Sequence, residues 1–200
     1  MNALQAIEQR RAIKHYDPAH SMTEAEIEQL FSHAVLAPSS FNIQHWRFVA
    51  VQNPEIRQQI REAAWNQAHV TDASLLIVLC ADTKAWDKSP ERYWQHAPQE
   101  MRDMFVAKIR EFYDGNEQLQ RDEALRTAGL AAQTIMLAAR AMGYDSCPMI
   151  GFDPAKVAEI IKLPDDHIIG LMIAVGKGAK KPWERPNRLP LSEVLLHDTF

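Results

Sequence analysis

The polar residues best suited to recognise a ligand lie in one ten-residue stretch, Ala37–Trp46. It contains two hydroxyls, two carboxamides and one imidazole, with almost no charge and no glycine. Pro38 disfavours helical geometry at the residue before it, so the preceding helix is expected to end at Ala37. Surface loops carry function more often than core segments do. Alternatively, Ser39, Ser40 and Asn42 bond only to their own backbone, as in an ordinary capped loop.

Basic side chains from the two ends of the chain form a second set. Arg10, Arg11 and Lys14 lie at the end of the first predicted helix. A spacing of three or four residues places Lys14 beside an arginine if that helix persists. Arg185 and Arg188 lie in a proline-rich tail. Together with the neutral loop, these cations suit a ligand with a phosphate and a heteroaromatic ring. The alternative is that they are simply solvated.

Common catalytic signatures are absent from the sequence. There is no GxGxxG motif after a strand, no P-loop, no HExxH pair and no cysteine–histidine cluster with zinc-ligand spacing. No GxSxG elbow supports a hydrolase triad. We therefore expect neither a metal centre nor a side-chain nucleophile.

Composition narrows the class of protein. At 200 residues the chain is long enough to bury the core of a single domain. A net charge of -4 and a pI near 6.1 argue against a general nucleic-acid binder. Cys80 and Cys147 lack CxxC spacing, which fits a reduced protein. Met1–Glu8 does not resemble a signal peptide, and the apolar run Leu75–Ala81 is too short to span a bilayer. We expect a cytoplasmic protein without membrane or nucleic-acid partners.

Hydrophobic periodicity predicts more helix than strand, and hence an α+β class. In the first helix, Leu4 and Ile7 are expected to point inward. The predicted helices are Ala3–Arg11, one opened by a capping box at Thr23, one from Asn53 to about Trp65, Gln99–Tyr113, about Leu119 to Met142, and Asp153 to Leu163. The predicted strands are Arg47–Val51, Ser74–Ala81 and Ile168–Val175, while Ser146–Phe152 is predicted to be a compact loop.

Two segments suggest contact with something beyond a simple core. The longest predicted helix is rich in small residues, namely Ala124, Ala128, Gly129, Ala131, Ala132, Ala138 and Ala139. They would let another helix approach closely, at the centre of the fold or at a subunit interface, or they could reflect helix propensity alone. The tail Lys177–Phe200 contains three prolines and cannot fold compactly on itself. It needs a surface to lie against, and a second subunit is a natural candidate.

Four motifs occur in an order that resembles the FMN-dependent nitroreductase family. They are Arg10–Lys14, Pro38–Trp46, Cys147–Asp153 and Arg188–Pro190, and the resemblance covers nearly the whole chain. It implies one α+β domain, residues 1–200, with a small, mainly antiparallel central sheet flanked by helices. It also implies a homodimer with one FMN in each of two interface sites. Residues 177–200 would form an arm that embraces the partner subunit.

The resemblance implies roles for individual residues in binding FMN. Arg10 and Arg188 correspond to phosphate ligands, with Arg11 beside them. Lys14 corresponds to a cation directed at the flavin N1/O2 edge, and Ile150 to the backbone position facing N5; these two are assigned to catalysis. The remaining correspondences are Pro38, Ser39, Ser40 and Asn42, supplied by the other subunit; Asn66, at the ring edge; and the stretch Pro148, Met149, Ile150 and Gly151, facing N5 and O4.

Three positions depart from the family pattern. Ala12 stands where many relatives have Ser, which removes one hydroxyl directed at the phosphate. His69 stands where some branches place a second lysine near the ring; alternatively, it is an ordinary, partly buried histidine. Ile150 stands where some relatives carry Glu, so only the backbone role survives. These differences bear on the range of substrates more than on FMN binding.

The activity that the resemblance implies is ping-pong, two-electron transfer. NADH or NADPH would reduce FMN, and a nitroaromatic or quinone-type acceptor would reoxidise it. A fixed cation near N1 would stabilise the negative charge that reduction adds, while the flavin performs the redox chemistry. Phe41, Phe105 and Phe112 are candidates to stack on an aromatic acceptor, although most helical aromatics belong to a core. The alternatives are a flavin-dependent ene-reductase, a reductive dehalogenase and a non-catalytic FMN-binding module.

Overall fold

The computed structural model describes residues 1–200 as a four-stranded sheet between two layers of helices. The strands are β1 Trp46–Val51, β2 Leu75–Asp82, β3 Asp145–Met149 and β4 His167–Gly176. Their order is β1-β2-β4-β3, and every neighbouring pair is antiparallel. The helices are α1 Ala3–Gln9, α2 Glu24–Ala34, α3 Pro54–Ala63, α4 His69–Asp72, α5 Gln99–Tyr113, α6 Glu117–Ala141, α7 Pro154–Ile160 and α8 Leu191–Val194, with short 3₁₀ helices at Ser40–Asn42 and Pro90–Trp94. The predicted α+β class is confirmed.

The second strand forms the centre of the core. All eight residues of β2 are buried, as its continuous apolar sequence predicts for a strand covered on both faces. Leu75, Ile77 and Leu79 pack in one cluster with residues of α2 and α6. Leu76 and Val78 face the opposite side, where α3 and α7 pack. The sheet is therefore covered by helices on both faces, with β1 and β3 as its two outer strands.

The small residues of α6 serve packing inside the chain. Five of its alanines lie in the same cluster as β2 and β4, and the outward-facing Gly129 is exposed. The approach is close: a Cβ atom on Gly170 of β4 would lie 2.9 Å from the Cβ of Ala128. These buried alanines therefore support a central position for the helix and not a subunit interface.

The predicted loop Ser146–Phe152 is wrong over its first part. Residues Asp145–Met149 form strand β3, which pairs with β4 from Asp145↔Gly176 to Met149↔Met172. Pro148 is tolerated because β3 is an edge strand, where a missing N–H breaks no second ladder. Only the segment from Ile150 to Phe152 remains a loop.

The first helix is shorter than predicted, and this changes the geometry of the basic motif. Because α1 ends at Gln9, Arg10 to Lys14 follow as extended backbone and not on a helical face. Ala12 bridges to Ser146 in parallel, and the Ile13 amide donates to the Ser146 carbonyl at 3.1 Å. The basic motif therefore lies along β3. The inward orientation predicted for Leu4 and Ile7 is also wrong, since they are 70% and 50% exposed.

The C-terminal tail extends over the outside of the molecule. Every residue from 178 to 200 is exposed, including large apolar side chains such as Trp183, Leu191 and Phe200. This agrees with the prediction that the tail does not fold compactly on itself. No helix in the chain combines the length and the apolar character needed to cross a membrane.

Candidate functional site

The two ends of the chain meet beside β3 and bring four arginines together. The Arg185 guanidinium donates to the carbonyls of Glu8 and Arg10, at 2.7 and 3.0 Å, and Arg11 donates to the carbonyl of Trp183. Burial lowers the pKa of Arg10, and the charges of Arg185, Arg188 and Arg11 lower it further.

None of these four arginines forms an ion pair with a carboxylate. Like charges in close proximity are unfavourable unless an anion compensates them. Guanidinium groups match a phosphate through paired N–H donors, so the arginine cluster has the chemistry of a phosphate site. A cleft of about 580 Å³ opens beside it, between α1 and the tail, with Arg11 and Arg185 in its lining.

Lys14 and His69 lie next to this cluster, at the inner end of the basic motif. His69 is only 3% exposed, and its Nε2 has no hydrogen-bond partner. Burial lowers the pKa of His69, and the charge of nearby Lys14 lowers it further. Burial raises the pKa of the Cys147 thiol, while the charges of Lys14 and Arg10 oppose that shift. These charge interactions indicate that the basic motif, His69 and strand β3 lie in one region.

The loop after β3 is fixed against the turn that follows α3. The Gln67 side-chain amide donates to the Gly151 carbonyl at 2.7 Å. A Cβ atom on Gly151 would lie 2.9 Å from Cζ3 of Trp65, so a larger residue here would require the Trp65 ring to shift. Asn66 lies within the same turn, with φ at +56°. The Ile150 side chain is 82% exposed, so this face of the loop is open to solvent. The predicted ring-edge amide and the predicted N5 loop therefore meet in space.

The neutral polar loop before β1 has an unusual backbone. Phe41, Asn42 and Gln44 have φ values of +48°, +56° and +55°, although none of them is glycine. Such conformations are uncommon for side-chain-bearing residues, and they persist where the surroundings enforce them, often at ligand sites. The Ser39 hydroxyl accepts from the Gln44 amide at 3.0 Å, which matches the local-bonding alternative. Asn42 is exposed, and its side chain makes no hydrogen bond.

The chain does not bring this loop to the arginine cluster. The loop, from Pro38 to Gln44, leads into β1, whereas the basic motif lies along β3, and these are the two outer strands of the sheet. Three strand spacings of about 4.8 Å separate them by roughly 14 Å. Within one chain, the polar loop and the arginine cluster therefore lie at opposite edges of the sheet.

The three candidate aromatic residues fall into two groups. The rings of Phe41 and Phe112 are 5.8 Å apart, and Phe112 is 47% exposed at the C-terminal end of α5. Phe105 instead stacks on Trp94 at 3.9 Å, two turns earlier along the helix. Phe112 thus lies against Phe41 of the polar loop, while Phe105 belongs to a separate pair.

His45, at the end of the loop, is a buried imidazole that we expect to make stability depend on pH. It is fully buried, and neither ring nitrogen has a partner. Burial lowers its pKa to about 4, against 6.5 ordinarily, although Asp82 opposes the shift. The unfolded chain therefore binds the proton more readily, so stability should fall as the pH drops from 6.5 to 4, by about 3 kcal/mol in total.

Denaturant unfolding between pH 7 and pH 4 measures this effect. His45→Gln and His45→Phe should both flatten the decline, whereas His33→Gln, at an exposed histidine on α2, should retain it. An unchanged pH dependence in both His45 variants would show that this imidazole is not responsible.

A group of potential metal ligands, Asp82, Asp166 and His167, lies at the far end of β2. Its carboxylates already have cationic partners: Lys88 contacts Asp82 at 2.8 Å and Asp166 at 2.6 Å, and Arg47 contacts Asp82 at 3.1 Å. Hydrogen bonds from Lys88 and His167 lower the pKa of Asp166. The group is therefore an ion-pair network that joins β1, β2 and β4.

Sequence reasoning missed two residues that shape the site. The sequence identifies Arg185 only as a basic residue of the tail, yet its guanidinium bonds the Arg10 carbonyl and ties the tail to the first helix. Gln67 was not singled out, although it fixes the Gly151 carbonyl. The sequence does contain a signal for Gln67. This residue directly follows Asn66, and asparagine tolerates the left-handed backbone that is common at the end of a helix.

The fold and the basic site define an α+β domain with a cluster of arginines beside its outer strand β3. The chain belongs to the nitroreductase family, whose sequence profile matches residues 7–177. Protein DrgA of Synechocystis sp. is 54% identical over 200 residues, covering 98% of this chain and 95% of that protein. A Bacillus subtilis protein named "Putative NAD(P)H nitroreductase YodC" is 32% identical, covering 96% and 97%.

The fold is shared with solved structures of the same family. A protein from Exiguobacterium sibiricum, described as a "putative nitroreductase in complex with FMN", superposes with a TM-score of 0.92. It is 29% identical and covers 99% of this chain and 98% of its own. The predicted nitroreductase-like fold is therefore confirmed.

Proposed function

We propose that this protein is a flavoenzyme in which two copies of the chain hold FMN between them and use NADH or NADPH to reduce nitroaromatic or quinone-type acceptors. Membership of the nitroreductase family, a relative named NAD(P)H nitroreductase and a similar structure in complex with FMN support an oxidoreductase of this kind. The residue roles below are those that the resemblance to the family implies, and the site geometry supports them.

The observation that carries the proposal is the arginine cluster without a carboxylate partner. Arg10, Arg11 and Arg188 would bind the FMN phosphate, with Arg185 holding the tail in position. The unpaired cations fit a dianionic phosphate, which pairs with several guanidinium groups at once. Ala12 would contribute only backbone, because it carries no hydroxyl.

The distance between the sheet edges supports a site built from two copies. Pro38, Ser39, Ser40 and Asn42 would reach the flavin from the partner, because within one chain they lie at the opposite edge from Arg10. Exposed apolar side chains on α1 and the tail, such as Leu4 and Trp183, provide surface that a second subunit would bury. A homodimer, with residues 177–200 as its embracing arm, satisfies both features.

FMN, when bound, would supply the redox chemistry by taking two electrons from NAD(P)H and passing them to the acceptor. Lys14 would hold a positive charge at the N1/O2 edge, where it favours the reduced state. The backbone from Pro148 to Gly151 would orient the N5 side, with the exposed Ile150 leaving access open. Asn66 would bond the ring edge, and Phe41 with Phe112 would line the acceptor side.

Anaerobic absorbance measurements test the proposal. The purified protein is mixed with FMN, and unbound FMN is removed. The absorbance of the bound flavin near 450 nm should then fall when NADH or NADPH is added. Addition of 4-nitrobenzoate or menadione should then restore the absorbance, with two electrons passed per flavin. Reoxidation only by an activated alkene would indicate an ene-reductase. A bound chromophore that is not bleached would indicate a binding module, and failure to take up FMN would contradict the proposal.

A further inference from the structure

His69 is one of several buried polar residues with a side-chain atom that has no hydrogen-bond partner within the chain, and the one that lies beside Lys14. It begins the short helix α4 and is 3% exposed, yet its Nε2 has no hydrogen-bond partner. A buried polar atom without a partner is costly, and native proteins rarely leave one so. The missing partner is therefore expected to come from a group that binds next to His69.

The charged groups around His69 favour its neutral form. Lys14 lies on one side, with His15 on the same segment, and Asp72 lies on its own helix. Burial is the largest cause that lowers the pKa of His69. The charges of Lys14 and His15 lower it further, while Asp72 opposes the shift. The Thr71 hydroxyl already donates to the Asp72 carboxylate at 3.0 Å. With a lowered pKa, His69 is predominantly neutral at pH 7.

A new negative charge beside Lys14 would reverse this balance. The proposed function places the N1/O2 edge of the flavin at Lys14, and two-electron reduction adds a negative charge to that edge. An anion within a few ångströms stabilises imidazolium, by about 1–2 pH units at the effective dielectric constant of a partly buried site. His69 is a group that can respond, because its Nε2 has no hydrogen-bond partner and an imidazole can take up a proton there.

We propose that His69 takes up a proton from solvent when the bound flavin is reduced, and returns it when the flavin is reoxidised. In that step NAD(P)H loses two electrons and one proton to the flavin and becomes NAD(P)⁺. A second proton, supplied by water, binds at Nε2 of His69. The inference rests on the proposed function, since it requires the flavin edge at Lys14. It gives His69 the role of a positioning residue that ties the flavin potential to pH.

Redox titration of the FMN-loaded protein between pH 5 and pH 8 tests the inference. In the native protein, the midpoint potential should rise more steeply as the pH falls below about 7 than in His69→Gln. Glutamine keeps a neutral polar side chain of similar size but cannot take up a proton. His15→Gln removes the neighbouring, exposed imidazole and should retain the steep dependence.

A second readout follows the imidazole directly. NMR titration of the histidine side chains should show the pKa of His69 at least 1 pH unit higher in the reduced than in the oxidised FMN-loaded protein, about a tenfold gain in proton affinity. Parallel pH dependences in the native protein and His69→Gln, with an unshifted His69, would overturn the inference while leaving flavin binding and reduction intact. Failure to bind or reduce flavin would instead contradict the proposed function.

Discussion

Replacing Arg10 and Arg188 together by alanine is expected to weaken FMN binding by at least about 100-fold. Each substitution removes a hydrogen bond to a charged group, worth about 1.5–3 kcal/mol, and the two together therefore cost a factor of about 10² to 10⁴. Neither guanidinium forms an ion pair within the chain, so the FMN phosphate would be the anionic partner of both. We therefore expect a large loss of FMN affinity when both are removed. Titration of apo-protein with FMN, followed by quenching of flavin fluorescence, measures the affinity.

Two controls separate a phosphate effect from general damage. Arg121→Ala removes an exposed arginine of α6 that forms no ion pair, and it should bind FMN normally. Riboflavin lacks the phosphate, so its affinity should be nearly the same for the native protein and the double variant. Equal losses for FMN and riboflavin would mean that Arg10 and Arg188 support the fold and not the phosphate. Unchanged FMN affinity would remove both from the site.

The central parts of this fold could be predicted from local sequence. The apolar run of β2 leaves no polar face, so it indicates a fully covered strand, and the structure places it at the centre of the sheet. Helix α5 has the predicted bounds, Gln99–Tyr113, because its apolar residues repeat with helical spacing. These elements can be predicted because the pattern of apolar residues that defines each of them is contained in the element itself.

The elements that were predicted wrongly depend on distant partners. Strand β3 contains a proline and few β-formers, and it becomes a strand because β4 offers an open edge for Ser146 and Cys147. Likewise, Arg10–Lys14 leaves the helix early because Ala12 and Ile13 bond to that same strand. No local pattern reports such pairing. The burial of the α6 alanines against the sheet was also undecidable from composition alone.

The candidate site shows the same division. Arg10 and Arg188 are far apart in sequence; their charge alone left open whether they are simply solvated, and the resemblance to a family predicted that both bind the FMN phosphate. The structure brings them into one cluster through Arg185, whose role depends on bonds to the carbonyls of Glu8 and Arg10. That a second copy of the chain supplies the polar loop stays a prediction, and it is the point on which the proposed site depends.

A mixture of two defective variants tests this point with a large expected effect. Arg10→Ala damages the basic side of the site. Asn42→Asp damages the loop side by placing a carboxylate there, at an exposed position where aspartate tolerates the left-handed backbone. Each variant alone should bind FMN at least about 10-fold more weakly than the native protein, because each spoils both sites of its own dimer.

The most direct measurement is FMN binding after the two variants are unfolded, mixed in equal amounts and refolded together. If each site takes Arg10 from one chain and Asn42 from the other, a mixed dimer has one intact site and one doubly damaged site. Random pairing then restores native affinity to about one quarter of all sites. If the mixture contains no sites of native affinity and equals the sum of the two variants, both residues act within a single chain, and the shared site proposed for this protein is contradicted.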